Sequence, residues 1–211
     1  MSTGSSDHVD TVVLLEGPSD VAAVRAVAAA YGVTDSVHRY RLIDMGGVTN
    51  IRRHLVALRA ASVPVRVIGM CDAGEAQFFV RALRLTGGGP RHEADLAEHG
   101  FYVCDADLED ELIRALGPEQ VLGVLSRLGL RGRLTTFQRQ PAWRGRPLHE
   151  QLHRFAGVAS GRKTLLAGAL AEGLARHEVP APLRRLVAEM ANRTMSAKVT
   201  ASARPGAGEG R

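Results

Sequence analysis

The stretch Thr11-Val12-Val13-Leu14-Leu15-Glu16-Gly17-Pro18-Ser19-Asp20 decides how the rest of the chain is read. Its first five residues are β-branched or aliphatic and make a short strand buried on both faces. Glu16-Gly17 turns the chain. Pro18 suits a first helical turn, because its fixed φ is already helical, and Asp20 suits the positive end of that helix. The Ala/Val-rich residues that follow, to about Tyr31, are apolar nearly all round, which predicts a helix covered on more than one side. The unit is strand, acidic turn, helix.

Moving outward, the unit repeats. Residues 38–43 read as a strand, Asp44-Met45-Gly46-Gly47 as a turn and residues 49–60 as a helix. Residues 65–70 give the clearest later strand, Cys71-Asp72-Ala73-Gly74-Glu75 a turn, and residues 76–85 a helix. After the loop Gly87-Gly88-Gly89-Pro90, residues 101–104 read as a fourth strand and 108–116 as a helix. This alternation predicts an α/β fold, a mostly parallel sheet flanked by helices. Beyond Gly117 the strand signals fade, and residues 119–128, 148–155, 162–176 and 182–191 read as a C-terminal helical extension. The expected organisation is a flexible N-terminus over 1–10, an α/β domain over 11–117, a basic helical extension over 118–191 and a disordered tail over 192–211.

Composition bounds the function. A chain of 211 residues, 45% hydrophobic, is globular, and no apolar run reaches the length of a membrane span. Residues 1–10 are polar and lack the order of a signal peptide, so a cytoplasmic location is expected. Cys71 and Cys104 each end an apolar run and read as small buried residues, not as a disulfide framework. The net charge of +5 is unevenly spread. Residues 93–111 hold eight acids and no Lys or Arg, whereas residues 127–163 hold nine Lys or Arg against Glu150 alone, a net +8. An acidic segment beside a basic one suits a metal site next to a phosphate-binding surface; a solvated basic face is the equal alternative.

Function in an open parallel sheet sits at the carboxyl ends of its strands. Three strands here end in acids: Glu16 with Asp20 a turn later, Asp72 with Glu75 nearby, and Asp105 followed by Asp107, Glu109, Asp110 and Glu111. Neighbouring strands would bring these carboxylates together, where they raise one another's pKa unless a divalent cation neutralises them. Taken singly, Asp20, Asp107 and Asp110 are better read as helix caps. Asp110 and Glu111 exceed any metal site's needs and are assigned to a solvated face. His149 and His153 are assigned to an ordinary polar helix face.

Together these residues resemble a known family. Glu16-Gly17-Pro18-Ser19-Asp20 after an apolar strand resembles the TOPRIM glutamate motif, and Asp72 after residues 67–71 the aspartate motif. Asp107-Leu108-Glu109-Asp110-Glu111-Leu112 resembles the third acidic motif of the OLD (overcoming lysogenization defect) nucleases. Gly46-Gly47 with Asn50 resembles that group's segment after the second strand, and Ser160-Gly161-Arg162-Lys163 its C-terminal lysine segment. The sequence departs from the pattern at Gly74, where the family carries a second Asp; Glu75, one residue on, is a possible helper.

The resemblance implies a TOPRIM-type, Mg²⁺- or Mn²⁺-dependent endonuclease acting on nucleic acid, with DNA favoured. Glu16, Asp20 and Asp72 would hold one ion, Asp107 and Glu109 a second, and Lys163 would stabilise the charge that develops on phosphorus. Arg139, Arg144, Arg146 and Arg162 are candidates for the nucleic-acid backbone, with Trp143 either stacking on a base or plugging a seam. OLD proteins carry an ATPase domain ahead of the TOPRIM domain. The sequence starts almost at the first strand, so no ATPase domain is expected in it. No ATP site is expected either: the run before Lys163 has Arg162 where a P-loop needs Gly. Two alternatives stay open: a catalytically weak nucleic-acid-binding or regulatory module, and a subunit serving a separate ATPase. A homo-oligomer is compatible with each.

Overall fold

The computed structural model describes residues 9–157 and 160–192. The expected tail, most of the expected flexible N-terminus and the Val158-Ala159 part of the P-loop-like run lie outside the described residues. Four strands, β1 (Thr11–Leu15), β2 (Tyr40–Asp44), β3 (Arg66–Asp72) and β4 (Phe101–Cys104), form one sheet in the order β2-β1-β3-β4. Every pairing is parallel, with Leu15 opposite Asp44, Leu14 opposite Gly69 and Asp72 opposite Cys104. The three acid-ended strands β1, β3 and β4 are therefore consecutive neighbours, which is what convergence of their carboxylates requires.

The helices are α1 (Pro18–Ala30), α2 (Asp35–His38), α3 (Ile51–Arg59), α4 (Ala76–Leu85), α5 (Leu108–Arg127), α6 (Arg131–Gln138), α7 (Leu148–Gly157), α8 (Ser160–Gly173) and α9 (Ala181–Ala191). The α5 span is broken at Gly117, whose φ of 74° is not helical and is followed by Pro118, so the two helices expected on either side of Gly117 run end to end. Sequence reading did not anticipate α2, α6 or the 3-10 segment Glu93–His99. All three lack a clear apolar period, so packing by neighbours decides them.

The sheet separates two cores, and period-two alternation assigns its residues between them. Val12 and Leu14 face α3 and α4 together with Met45, Cys71, Phe79 and Phe101. Val13, Leu15, Ile68 and Met70 face the larger core built from α1 and α5–α9. Helix α1 lies between the sheet and α8, and the two helices approach closely enough that a Cβ at Gly168 would sit 3.5 Å from the Ala22 methyl. That second cover explains why α1 has no polar side. On the thinner side, Phe101 packs over Gly69: a Cβ there would lie 2.5 Å from the Leu14 carbonyl oxygen and 3.0 Å from the Phe101 ring. Cys71 and Cys104 are buried thiols, as the sequence suggests. No described helix is long and apolar enough to cross a membrane.

Candidate metal centre

Each candidate side chain reaches the carboxyl edge of the sheet for a local reason. Glu16 follows β1 directly. Asp20 sits in the first turn of α1 and accepts a 3.0 Å hydrogen bond from the Gly17 N–H. Asp72 ends β3 and accepts from the Leu108 N–H at 3.2 Å, which ties it to the start of α5. Asp107 caps α5, its Oδ1 accepting from the Asp110 N–H at 2.8 Å. The capping reading is thus correct for Asp20 and Asp107, and it is compatible with their place in the cluster.

Oxygens of Glu16, Asp72 and Glu75 lie within 4.8 Å of one another. Glu75, read only as a helper, is thus inside the tightest group, while Gly74 is exposed and offers no ligand. Desolvation, reinforced by hydrogen bonding to and charge on Glu75, pushes the Glu16 carboxyl up to about 7, with Lys163 opposing. Burial and then the charges of Asp20, Asp107, Glu16 and Glu109 push Asp72 up to about 7. Burial also raises Asp20, against the Gly17 N–H and Lys163, and raises Glu109, against Lys163.

Glu109 is only 4% exposed. Its Oε2 lies 3.2 Å from the Lys163 ammonium, while its Oε1 is buried and finds no hydrogen-bond partner among the described residues. Glu75 Oε2 is equally buried and unpartnered among them. Burial works against the charge on Lys163, but Glu109, Asp20 and Asp72 outweigh it and hold the ammonium above its ordinary value. Lys163 reaches the site because α8 packs along α1. It lines a cleft of about 250 Å³ with Glu16, Asp20, Asp44 and the Gly46-Gly47 turn. A larger cavity of about 400 Å³ opens beside β4, between Tyr102, Arg114 and Arg185; Asp105 and Glu111 line it, but Glu16, Asp20, Asp72, Glu75, Asp107 and Glu109 do not.

Several residues stand elsewhere than expected. Glu111 is not on a solvated face: it is buried, its Oε1 accepts from the Asp105 N–H at 3.1 Å, and its Oε2 pairs with Arg114 at 3.0 Å. Asp110 lies 2.6 Å from His149 Nε2, and Asp107 Oδ2 lies 2.7 Å from His153 Nε2. The two histidines, one turn apart on α7, grip the first turn of α5 because those helices pack together. Their spacing was visible in the sequence; what they face was not. Asp44 was read as a turn residue, yet the register that sets it opposite Leu15 places it in the cleft.

The basic candidates differ in their freedom. Arg139, Arg144 and Arg146 are exposed on the segment after α6. Arg144 donates to the Arg139 carbonyl at 3.3 Å, while Arg146 pairs with Glu150 at 3.3 Å and lies over Trp143. Trp143 stacks on Phe137 of α6 with centroids 5.1 Å apart, a contact within the helical extension and not at a seam with the sheet. Arg162 donates to the Phe155 carbonyl and lies 4.4 Å over that ring.

Acids thus meet at the ends of neighbouring parallel strands, with a lysine from a packed helix beside them. Residues 9–72 match the family described as "Overcoming lysogenization defect protein-like, TOPRIM domain". Among solved structures, the C-terminal region of the Burkholderia pseudomallei OLD protein superposes with a TM-score of 0.65 at 17% identity, over 86% of this chain and 97% of that one. The C-terminal region of the Xanthomonas campestris pv. campestris OLD protein, phased with mercury, gives 0.62 at 20% identity, over 86% and 94%. Residues 9–72 are thus similar to an OLD-like TOPRIM domain, and the chain shares its overall fold with OLD C-terminal regions. A comparison with curated proteins finds no match.

Proposed function

We propose that this protein is a divalent-metal-dependent endonuclease of the OLD type, acting on nucleic acid phosphodiesters in the cytoplasm. The observation that carries the reading is the meeting of Glu16, Asp72 and Glu75 oxygens within 4.8 Å, beside a lysine ion-paired to a buried glutamate. Two carboxyls held near 7 and two buried oxygens without donors are the features a hard cation relieves, so the donor set fits Mg²⁺ or Mn²⁺. Glu16, Asp72 and Glu75 would hold one ion with Asp20 close by, and Glu109 with Asp107 would serve a second. A bound ion supplies Lewis-acid polarisation of a phosphoryl oxygen and a more acidic water.

The protein's own contribution is placement and charge. Lys163 stays protonated because Glu109 pairs with it, so a fixed cation is available for the charge that develops on phosphorus. His153 and the Asp110 N–H hold the Asp107 carboxylate still. The cleft is bordered on one side by Gly46 and Gly47, which carry no side chains to narrow it. Glu75 makes good the loss at Gly74, which favours an active enzyme over a weakened binding module. A separate ATPase as partner remains part of this reading, because OLD proteins join the two. The test is nicking of supercoiled plasmid by the purified protein in Mn²⁺, with Glu16→Gln and Lys163→Met as controls. Metal-dependent nicking lost in both variants is expected; nicking unchanged in Glu16→Gln would remove the proposal.

A further inference from the structure

The thin side of the sheet carries a surface that the acid cluster does not use. Between Gly46 and Glu93 the chain has seven arginines and two acids, and those acids, Asp72 and Glu75, belong to the candidate metal centre. Arg66, in β3, pairs with Glu189, and Arg91 lies in the loop beyond α4; the other five of the seven arginines lie on α3 and α4, which pack side by side and contain no acid of their own. Their inner faces supply Ile51, Leu55, Phe79, Val80 and Leu83 to the core. Their outer faces repeat arginine and apolar residues at helical spacing. Arg52, Val56 and Arg59 are four and three apart on α3, and Phe78, Arg81 and Leu85 three and four apart on α4, with Arg84 beside them. Phe78 is 40% and Leu85 68% exposed.

These arginines are available. Arg52, Arg53, Arg81 and Arg84 are exposed, and none has an acidic partner among the described residues. Arg59 lies against the Gly87 backbone. The acid nearest this face in the hydrogen-bond pattern is Glu93, which accepts from Gln77 at 2.6 Å at its border. By contrast Arg144 and Arg146 are engaged within their own segment, and Arg162 with Phe155 of α7. An isolated set of like charges repels itself and is stabilised by a polyanion. Position supplies the second argument. Helix α3 follows the Gly46-Gly47 turn that lines the cleft, and α4 follows Glu75 directly, so both helices start at the candidate metal centre and lead away from it.

Resting on the nuclease reading of that centre, we propose that the α3–α4 face is the surface along which the nucleic-acid backbone lies as it enters the site. Arg52, Arg53, Arg81 and Arg84 contact phosphates, and Phe78 packs against sugar or an unstacked base. Binding of the full chain to a mixed-sequence DNA duplex, followed by fluorescence anisotropy in EDTA across a salt series, tests it. Each phosphate contact removed lowers the log–log salt slope by about 0.9. The variant with all four arginines changed to Ala is expected to lose roughly three to four units of slope, and the four-Lys variant to keep most of it.

A wild-type slope in the four-Ala variant overturns the proposal, as does an equal loss in the four-Lys variant, which would mark a structural effect. Equal affinity of the wild type for polyglutamate overturns it too, in favour of an acidic protein partner. Failure of the nuclease reading registers separately, as absence of Mn²⁺-dependent plasmid nicking by a wild-type protein that still binds duplex.

Discussion

Glu16→Gln is expected to make the metal-free protein more stable at pH 8 and to remove its response to Mn²⁺. In the folded chain the Glu16 carboxyl is pushed up to about 7 from 4.5, by burial first and Glu75 second. Between those values the folded state holds more protons than the unfolded one, so stability falls as pH rises through that window. One unit is worth about 1.4 kcal/mol, which sets a ceiling of about 3 kcal/mol for the shift. Screening of a part-buried group reduces it to about 1–2 kcal/mol. For a chain of this size that is about 3–6 °C in Tm. The gain should be full at pH 8, shrink below pH 7 and vanish near pH 4.5. In Mn²⁺ the order should reverse, because the wild type gains stability with the logarithm of ion concentration over Kd and the variant does not. Thermal unfolding at four pH values, in EDTA and in Mn²⁺, checks both halves. A variant less stable than wild type in EDTA at pH 8 would refute the reasoning, since Glu16 would then be a stabilising partner and not one of a repelling set.

Three further outcomes follow from other contacts. Lys163→Met leaves Glu109 buried without its cation, so stability at pH 8 should fall by about 1–3 kcal/mol and recover at lower pH as Glu109 takes a proton; chemical denaturation at pH 8 and pH 5 reads both. His153→Ala frees one oxygen of Asp107, so the weaker binding event in a Mn²⁺ titration should tighten about tenfold, with folding intact by circular dichroism. Gly69→Ala sets a Cβ 2.5 Å from the Leu14 carbonyl oxygen, and urea unfolding should show a loss of at least about 1–3 kcal/mol.

The sheet was legible because β1, β3 and β4 are short, largely apolar runs that end in an acid or are followed at once by one, so strand ends and functional edge coincide in sequence. Residues 101–104 and 76–85 carry the expected elements at the expected limits. What stayed hidden depends on contacts between distant segments. Nothing near Glu111 announces that Arg114 and the Asp105 N–H will enclose it, since an acid in a first helical turn usually faces water. His149 and His153 look like a polar stripe until α7 is laid on α5. The α3–α4 arginines escaped notice for the converse reason. They are separated in sequence by β3 and its flanking loops, and only the fold removes that strand to the interior and leaves the charges on one face.

The acids at the sheet edge divide into two kinds, and the division bears on how many ions the site can take. Asp107 has its oxygens committed to the Asp110 N–H and His153, and Asp20 spends one on the Gly17 N–H, so both carry local structural duties. Glu109 commits one oxygen to Lys163 and leaves the other unpartnered among the described residues. Glu16, Asp72 and Glu75 have little to neutralise them: one backbone N–H on Asp72, the pull of Lys163 on Glu16, and a buried oxygen of Glu75 with no donor among the described residues. A first ion is therefore best held by that triad, at low cost in existing bonds. A second ion on Asp107 and Glu109 must compete with His153 and Lys163. Isothermal titration with Mn²⁺ should accordingly resolve one tighter and one weaker event, the weaker strengthened in His153→Ala. Two events of equal affinity would show that the histidine and the lysine do not occupy the second set of ligands.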